Sequence, residues 1–545
     1  MTPPAWPKRA DLVARLAQRK TWDLVVIGGG ATGLGVALDA SARGLTVALV
    51  EAEDFAKGTS SRATKLVHGG VRYLAQGNLS LVREALRERG VLLRIAPHLV
   101  RPLPFLLPLY GARGRWLDKW FYLSGLMLYD LLAGRRQLGR TEALARAETL
   151  ARAPGLLPEG LVGALRYWDG QFDDARLAVA LARTAIARGA TVVTRCAAVG
   201  LAHHQGWISG VLVEDRETGQ RHALDSRCVV NATGVWVDAV RHMDHADCSN
   251  LVAPSQGVHL VVDRSFLPGE HAILVPRTRD GRVLFAVPWL GHVILGTTDT
   301  PRDDLAFEPA PFAAEIDFIL GEAGRYLARA PTRADLRSVW VGLRPLVRPP
   351  ESRPGDTKAL SREHAVLVER SGLVTVTGGK WTTYRAMAED VLEHCMTAGL
   401  LPRRPAGVTA TLPLVGAPPS AEPPPLSDPP GLQLYGTEAP LVQSLPGADR
   451  ELAPGLTEAM VRFAARFEYA RSVEDMLARR SRLLFLDAQL AASVAPRVSA
   501  LLGEDLGARF DADRSLRQFV ELARAYDGTA VPETLQGPAG SARVQ

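Results

Sequence analysis

Cysteine is scarce. The chain has four, Cys196, Cys228, Cys248 and Cys395, in 545 residues, and no Cys-x-x-Cys pair. That excludes a disulfide framework and the ligand spacings of zinc and iron–sulfur sites, and it fits a reducing compartment. Lysine is also rare, at seven of the 64 basic residues. Without a lysine-rich stripe or a nucleic-acid motif, the net charge of +6 makes no case for nucleic-acid binding. It would favour an anionic substrate or an anionic membrane surface. Long apolar runs are missing too. No stretch approaches the roughly 18 to 20 uninterrupted apolar residues that cross a bilayer. The N-terminus lacks the charged start, apolar middle and small-residue cleavage site of a signal peptide, so the protein is expected to stay in the cytoplasm where it is made.

With 47% apolar residues the chain reads as globular, and its length points to about two to four units with cores of their own. Residues 1–20 form a polar extension with one helix around Asp11 to Gln18. From Trp22 the pattern sharpens: Asp23 to Ile27 reads as a buried strand, Ala31 to Arg43 as a helix ended by Gly44, and Leu45 to Val50 as a second buried strand. A second α/β stretch has a helix over Ala175 to Arg188, an extended Thr191 to Arg195, and a meander over Ile208 to Glu214 and Ala223 to Asn231. Runs such as His259 to Val262, Val283 to Val287 and Val293 to Leu295 predict a mostly antiparallel substrate-binding layer. The proline pairs and triplet within 401–432 suit a stiff linker. Residues 433–530 read as a separate helical domain, with helices over Glu458 to Phe467, Val473 to Leu486 and Ser515 to Ala525, and 531–545 as a tail.

Gly28-x-Gly30-x-x-Gly33 lies between the first strand and the helix, where its glycines permit a tight turn, close backbone approach to a pyrophosphate and close helix packing. The helix N-terminus then offers N–H donors to the phosphates. Glu51 ends the second strand, where a carboxylate accepts from ribose hydroxyls and repels a 2′-phosphate, which disfavours NADP. A glycine-rich turn alone is also an ordinary tight turn; strand, helix, strand and acidic residue in register are what point to a dinucleotide. The fingerprint does not separate FAD from NAD. Asn231-Ala232-Thr233-Gly234 is a strand end with a small-residue turn of the kind flavoproteins place beside the nucleotide, and no second fingerprint occurs that could serve a nicotinamide domain.

From Thr59 to Leu74, through Ser60, Ser61, Lys65, His68, Gly69, Gly70, Arg72 and Tyr73, the sequence resembles the FAD-dependent, quinone-linked glycerol-3-phosphate dehydrogenases of the D-amino-acid-oxidase-like flavoproteins. The resemblance continues through Asp173-Asp174-Ala-Arg176, Asn231 to Gly234, Gly296-Thr-Thr-Asp299, Gly342-Leu-Arg-Pro345 and Thr377 to Arg385. Two features depart from the family pattern: the extension and the proline-rich linker are longer, and Thr64 stands where serine is expected. The resemblance implies an α/β fold, with a Rossmann-like FAD-binding domain, an antiparallel substrate domain and a C-terminal helical domain. In residues 21–400 the FAD-binding parts would be about 21–100, 165–255 and 340–400, and the substrate part about 255–340.

The resemblance also implies oxidation of glycerol 3-phosphate to dihydroxyacetone phosphate. Arg72, Arg344 and Arg362 would clamp the phosphate, since the planar guanidinium makes bidentate, permanently charged contacts worth roughly 1.5 to 3 kcal/mol each. Tyr73 and His68 would help to bind substrate. His259, in a predicted strand, is the candidate base for the hydroxyl proton, although a lone strand histidine is often only a satisfied structural residue. Lys380, after two glycines and before Thr382, could approach the flavin ring, or belong to an ordinary helix-cap turn. Cofactor contacts would come from Gly28, Gly30, Gly33, Glu51, Ser60, Ser61, Lys65, Gly69, Gly70, Ala232, Gly234, Gly379, Lys380 and Thr382.

Electrons would leave to a membrane quinone, with peripheral contact to the cytoplasmic face of an anionic membrane and a homodimer as the assembled form. The apolar-aromatic stretch Trp120 to Tyr129, flanked by Arg113, Arg115, Lys119, Arg135 and Arg136, suits such a surface and equally a buried helix. An oxidase of the same substrate that passes electrons to oxygen, and a non-catalytic, RNA-associated flavoprotein, are the competing readings.

Overall fold

The structure is a computed structural model and describes residues 6–19, 21–70, 74, 78–111, 115–348, 364–419 and 423–529, with only the backbone of 115–119. Its first layer grows from the buried run Trp22–Ile27, in which Val25 and Val26 have no exposed surface. A strand apolar on both faces belongs in the middle of a parallel sheet covered by helices. Trp22–Ile27 indeed lies between Val47–Val50 and Arg221–Asn231, parallel to both. Thr191–Val193 extends the sheet on one side, and Leu373–Gly378 and then His364–Val368 on the other. Arg221–Asn231 also carries the antiparallel meander of Trp207–Asp215 and Cys196–His204.

The helix Ala31–Ala42 packs between Asp174–Ala187 and Tyr384–Thr397. Gly35 allows this approach, because a Cβ there would meet the Tyr384 ring at 2.8 Å. The second strand begins two residues later than its sequence predicts, as Thr46 is drawn into the connection by the Asp23 carboxylate, which accepts from its N–H at 2.9 Å and its hydroxyl at 2.7 Å.

A ten-stranded sheet forms the second layer and is mostly antiparallel, as expected. Val252–Asp263 pairs along its length with Leu336–Val347 and also with His292–Gly296. Two long strands of this sheet, Val100–Tyr110 and Leu161–Phe172, are not evident in the sequence. The first carries Pro102, Pro104 and Pro108. All three fall on alternate positions, so the N–H groups they lack would all point to one side, and the ladder to Leu161–Phe172 is kept.

The C-terminal region is helical over Glu458–Phe467, Ala488–Leu506 and Ala512–Tyr526. The single helix expected from Val473 to Leu486 is broken instead. Asp475–Arg480 is a wider π-type turn, Arg482 adopts φ 67°, and Leu483–Leu486 follows. Its arginines explain the break. Arg479, Arg480 and Arg482 are all buried, and they reach the loop that follows the second strand of the parallel sheet. Both Arg479 and Arg480 donate to the fully buried Asp54, the Arg480 Nη2 to Oδ1 contact being 2.8 Å. Arg482 donates to the Ser61 carbonyl at 2.7 Å and lies 3.2 Å from Asp174. Farther along the same interface Arg176 pairs with Glu468 at 2.7 Å. In the proline-rich segment Leu414 and Leu426 are buried, and the Leu426 carbonyl accepts from Leu290 N–H at 2.7 Å.

Removing one member of a buried ion cluster strands the others without solvent, at about 3 to 5 kcal/mol. Asp54→Ala should therefore lower the thermal unfolding midpoint by several degrees, read by circular dichroism. An unchanged midpoint would show that Arg479 and Arg480 find other partners.

Candidate cofactor and substrate site

At the end of Trp22–Ile27 the chain turns at Gly28 with φ 111°, where a Cβ would sit 2.7 Å from the Ala232 carbonyl oxygen. A Cβ on Gly33 would lie 2.0 Å from the carbonyl oxygen of Gly28, so a bare Cα there lets the helix start against the turn. Gly30 caps the helix without a side chain, and the Ser60 hydroxyl accepts from Ala31 N–H at 3.0 Å. No acidic residue occupies the first helical turn, so no carboxylate within it would oppose an anion placed at these N–H groups. Glu51 leans over the same turn: Oε2 accepts from Gly29 N–H at 2.6 Å and Oε1 from Glu53 N–H at 2.8 Å. Burial pushes its carboxyl up, against the pull of those two N–H groups. A cleft runs from Glu51 past Ala232 and Gly234 to Gly379, Lys380 and Trp381. Trp236 and Phe307 stack with centroids 4.4 Å apart in its wall.

The antiparallel layer brings a cation and an imidazole to one face. Ser255 is paired with Arg344 and His259 with Trp340, and the even spacing along both strands puts all four on the same side. Arg344 is one quarter exposed, and its guanidinium contacts Asp299 at 3.1 Å, the Thr298 carbonyl at 2.9 Å, and the Gln256 carbonyl and Thr297 hydroxyl at 3.3 Å. His259 is buried, stacks on Trp340 at 4.1 Å, and its Nε2 is 2.9 Å from the Thr64 hydroxyl. Burial, with smaller contributions from Lys65 and Arg344, holds this imidazole well below the usual histidine range.

Residues 23–385 match the family model of the FAD dependent oxidoreductases, and residues 432–513 that of the C-terminal domain of alpha-glycerophosphate oxidase. The mitochondrial glycerol-3-phosphate dehydrogenases of Bos taurus and Homo sapiens are both 40% identical to the chain, over 95% of it and 75% of their own length. The solved glycerol-3-phosphate dehydrogenase of Bacillus halodurans, complexed with FAD, superposes with a TM-score of 0.76 at 28% identity, covering 98% of this chain and all of that one. The chain belongs to the FAD-dependent glycerol-3-phosphate dehydrogenase family. FAD is its cofactor.

In this family member the glycine turn, the helix N-terminus and Glu51 fit the pyrophosphate and ribose of FAD. Of the cofactor residues expected from sequence, Gly28, Gly30, Glu51, Ser60, Ala232, Gly234, Gly379 and Lys380 line the cleft. Gly33 acts from behind the turn. Thr382 is buried, and its hydroxyl accepts from His68 N–H at 3.2 Å, tying two of the sequence motifs together. Gly69 makes room for Tyr129, whose hydroxyl accepts from its N–H at 2.8 Å and donates to Asp169 at 2.7 Å; Gly70 turns with φ 77°.

Ser61 and Lys65, expected at the flavin or its ribityl chain, do not line this cleft. Lys65 is fully buried, donates to Asp174 and to the Ser61 carbonyl at 2.7 Å each, and sits 4.6 Å from the Trp340 ring centroid. Burial pulls its ammonium down to about 7, against the pull of Asp174. Arg72, Tyr73 and Arg362 lie outside the described residues. The motif from Gly296 to Asp299 has no role legible in the sequence; in the structure it cradles Arg344. Among the described residues no helix is long and apolar enough to cross a membrane.

Proposed function

We propose that the protein oxidises sn-glycerol 3-phosphate to dihydroxyacetone phosphate and passes the electrons to a membrane quinone. The observation that carries the substrate is Arg344, a partly exposed guanidinium on the same sheet face as a neutral, buried histidine. Bound FAD would supply the acceptor for the hydride that leaves C2 of the substrate. Arg344 binds the phosphate dianion, joined by Arg72 and Arg362 on the strength of the family resemblance, while Tyr73 and His68 hold the glycerol end. His259 takes the C2 hydroxyl proton. It is held in the form that can accept one, and a dianion arriving at Arg344 offsets the positive charge that depresses its basicity. Lys380 lines the cleft where it can balance negative charge on the reduced cofactor.

Delivery to a quinone requires a membrane surface. The helix Arg115–Ala133 buries Leu123, Leu126 and Tyr129 but exposes Trp120, Phe121, Met127, Leu128 and Leu131, and the exposed Arg135 and Arg136 follow it. An apolar-aromatic face bordered by arginine is the composition that seats a peripheral protein on anionic lipid. We read this helix as the attachment surface, on the cytoplasmic face. The homologues' names place them in mitochondria.

Anaerobic mixing with glycerol 3-phosphate should bleach the flavin absorbance, and glycerol should not. Equal bleaching by glycerol would overturn the arginine clamp, and rapid reoxidation in air without quinone would identify an oxidase instead. Arg344→Ala should lower kcat/KM by roughly 100-fold or more, as loss of a charge-assisted bidentate contact implies, with FAD retained.

The folded His259 pKa is depressed, so its neutral form persists as pH falls below 6.5 and is lost only at lower pH. kcat/KM should keep its plateau down through pH 6.5 and decline below it, and His259→Asn should abolish that acid limb. A limb that survives the substitution assigns the base elsewhere.

Phe121→Glu with Leu131→Glu should reduce co-sedimentation with anionic phospholipid vesicles without changing flavin content. Unchanged sedimentation would move the attachment surface to another part of the molecule.

A further inference from the structure

Glu315 opens the helix Ala313–Ala323 and is 7% exposed, yet it gathers four donors. Oε2 accepts from Phe312 N–H of its own helix at 3.1 Å and from the Gln256 side-chain amide. Oε1 accepts from the Thr298 hydroxyl at 2.9 Å and the Thr300 hydroxyl at 2.6 Å. A buried carboxylate stays charged at low cost only when hydrogen bonds replace its hydration, and this one is solvated by the loop it faces.

Three of the four donors lie among the residues around Arg344: Gln256 on the paired strand, and Thr298 and Thr300 in the loop after Gly296. The guanidinium is anchored by the Gln256 carbonyl, the Thr297 hydroxyl, the Thr298 carbonyl and Asp299. Glu315 grips Gln256 and Thr298 directly, and it pins Thr297 and Asp299 from either side through Thr298 and Thr300. The Thr298 hydroxyl also accepts from Val258 N–H at 3.0 Å, which fixes the loop to the strand that carries His259. Asp299 in turn accepts from the Ser255 hydroxyl. None of these bonds touches the cleft.

We propose that Glu315 is a positioning residue for phosphate recognition: it fixes the loop from Gly296 to Thr300 and, through it, the angle at which Arg344 presents its guanidinium. The proposal rests on the reading of Arg344 as the phosphate clamp. A carboxylate is required because all four neighbours are donors. Glutamine has the same shape but would turn an N–H₂ toward one of them, and a loosened loop lets the planar fork swing out of bidentate register.

The test uses the FAD-loaded protein and the rate constant for anaerobic flavin reduction by glycerol 3-phosphate. It compares wild type, Glu315→Gln, Arg344→Ala and the double variant. Glu315→Gln should lower kcat/KM about 10-fold, mainly through KM, whereas on an Arg344→Ala background it should cost less than about 2-fold, because a residue acting through another loses its effect when that other is gone. The ratio of flavin to protein absorbance should match wild type. The proposal is overturned if Glu315→Gln is within 2-fold of wild type, a margin set by measurement scatter of roughly that size, or if it costs the same factor in both backgrounds. Should Glu315→Gln fail to hold FAD, Thr300→Val removes one donor, leaves the carboxylate in place, and is judged by the same comparison. If Arg344→Ala itself leaves kcat/KM unchanged, the phosphate-clamp reading fails and takes this proposal with it; a large Arg344→Ala effect beside equal Glu315→Gln costs condemns only the positioning role.

Discussion

Asp54 lies three residues beyond Glu51, without solvent, and its charge is met by Arg479 and Arg480 from the far end of the chain. Eleven residues on, Lys65 is met by Asp174, which is shared with Arg482. Each of these ions would cost several kcal/mol to bury alone, so neither side of the interface is stable without the other. The loop between them forms one wall of the cofactor cleft and has little regular structure to define it. Its shape is fixed by charge. The arginines that do so also explain why the C-terminal segment forgoes a regular helix from Asp475 to Leu486: a wider turn and a left-handed residue let Arg479, Arg480 and Arg482 all face the loop, which 3.6-residue periodicity would not allow.

The same loop joins the two sheets. The Thr59 hydroxyl donates to the Leu343 carbonyl at 2.6 Å, beside Arg344, and Thr64 meets His259. On the other side the Trp381 indole donates to the Ser60 carbonyl at 2.8 Å. The residues proposed to hold the cofactor grow from the parallel sheet, and those proposed to bind the substrate from the antiparallel one. A loop bonded to both sets the distance between them, and the C-terminal region, which contributes no residue to the cleft lining, acts on the chemistry by holding that loop.

The cofactor half of this arrangement is legible in the sequence because its requirements are local. Gly28, Gly30, Gly33 and Glu51 are set by a strand, a turn and a helix contiguous in the chain, and the structure puts the helix and strands within one or two residues of their predicted ends. The substrate half is less so. Val100–Tyr110 is obscured by three prolines that only a specific pairing register tolerates. Lys65 shows the limit most clearly. Its position within the motif from Thr59 to Leu74 suggests a cofactor contact, but its backbone turns with φ 65° and its side chain reaches Asp174, a partner 109 positions away that no local pattern identifies.

Arginine abundance poses the harder problem, since composition alone cannot sort 57 arginines into structural and functional ones. Burial and charge balance can. Arg479, Arg480 and Arg482 have almost no exposed surface and face buried carboxylates, so their charge is consumed within the protein. Arg344 keeps a quarter of its side chain open, and three of its four contacts described above are to neutral oxygens that orient the fork without neutralising it. Orientation by neutral dipoles leaves more of the field available to an incoming dianion than a cage of carboxylates would. That distinction, rather than the count of basic residues, is the physical ground for assigning phosphate recognition to this strand.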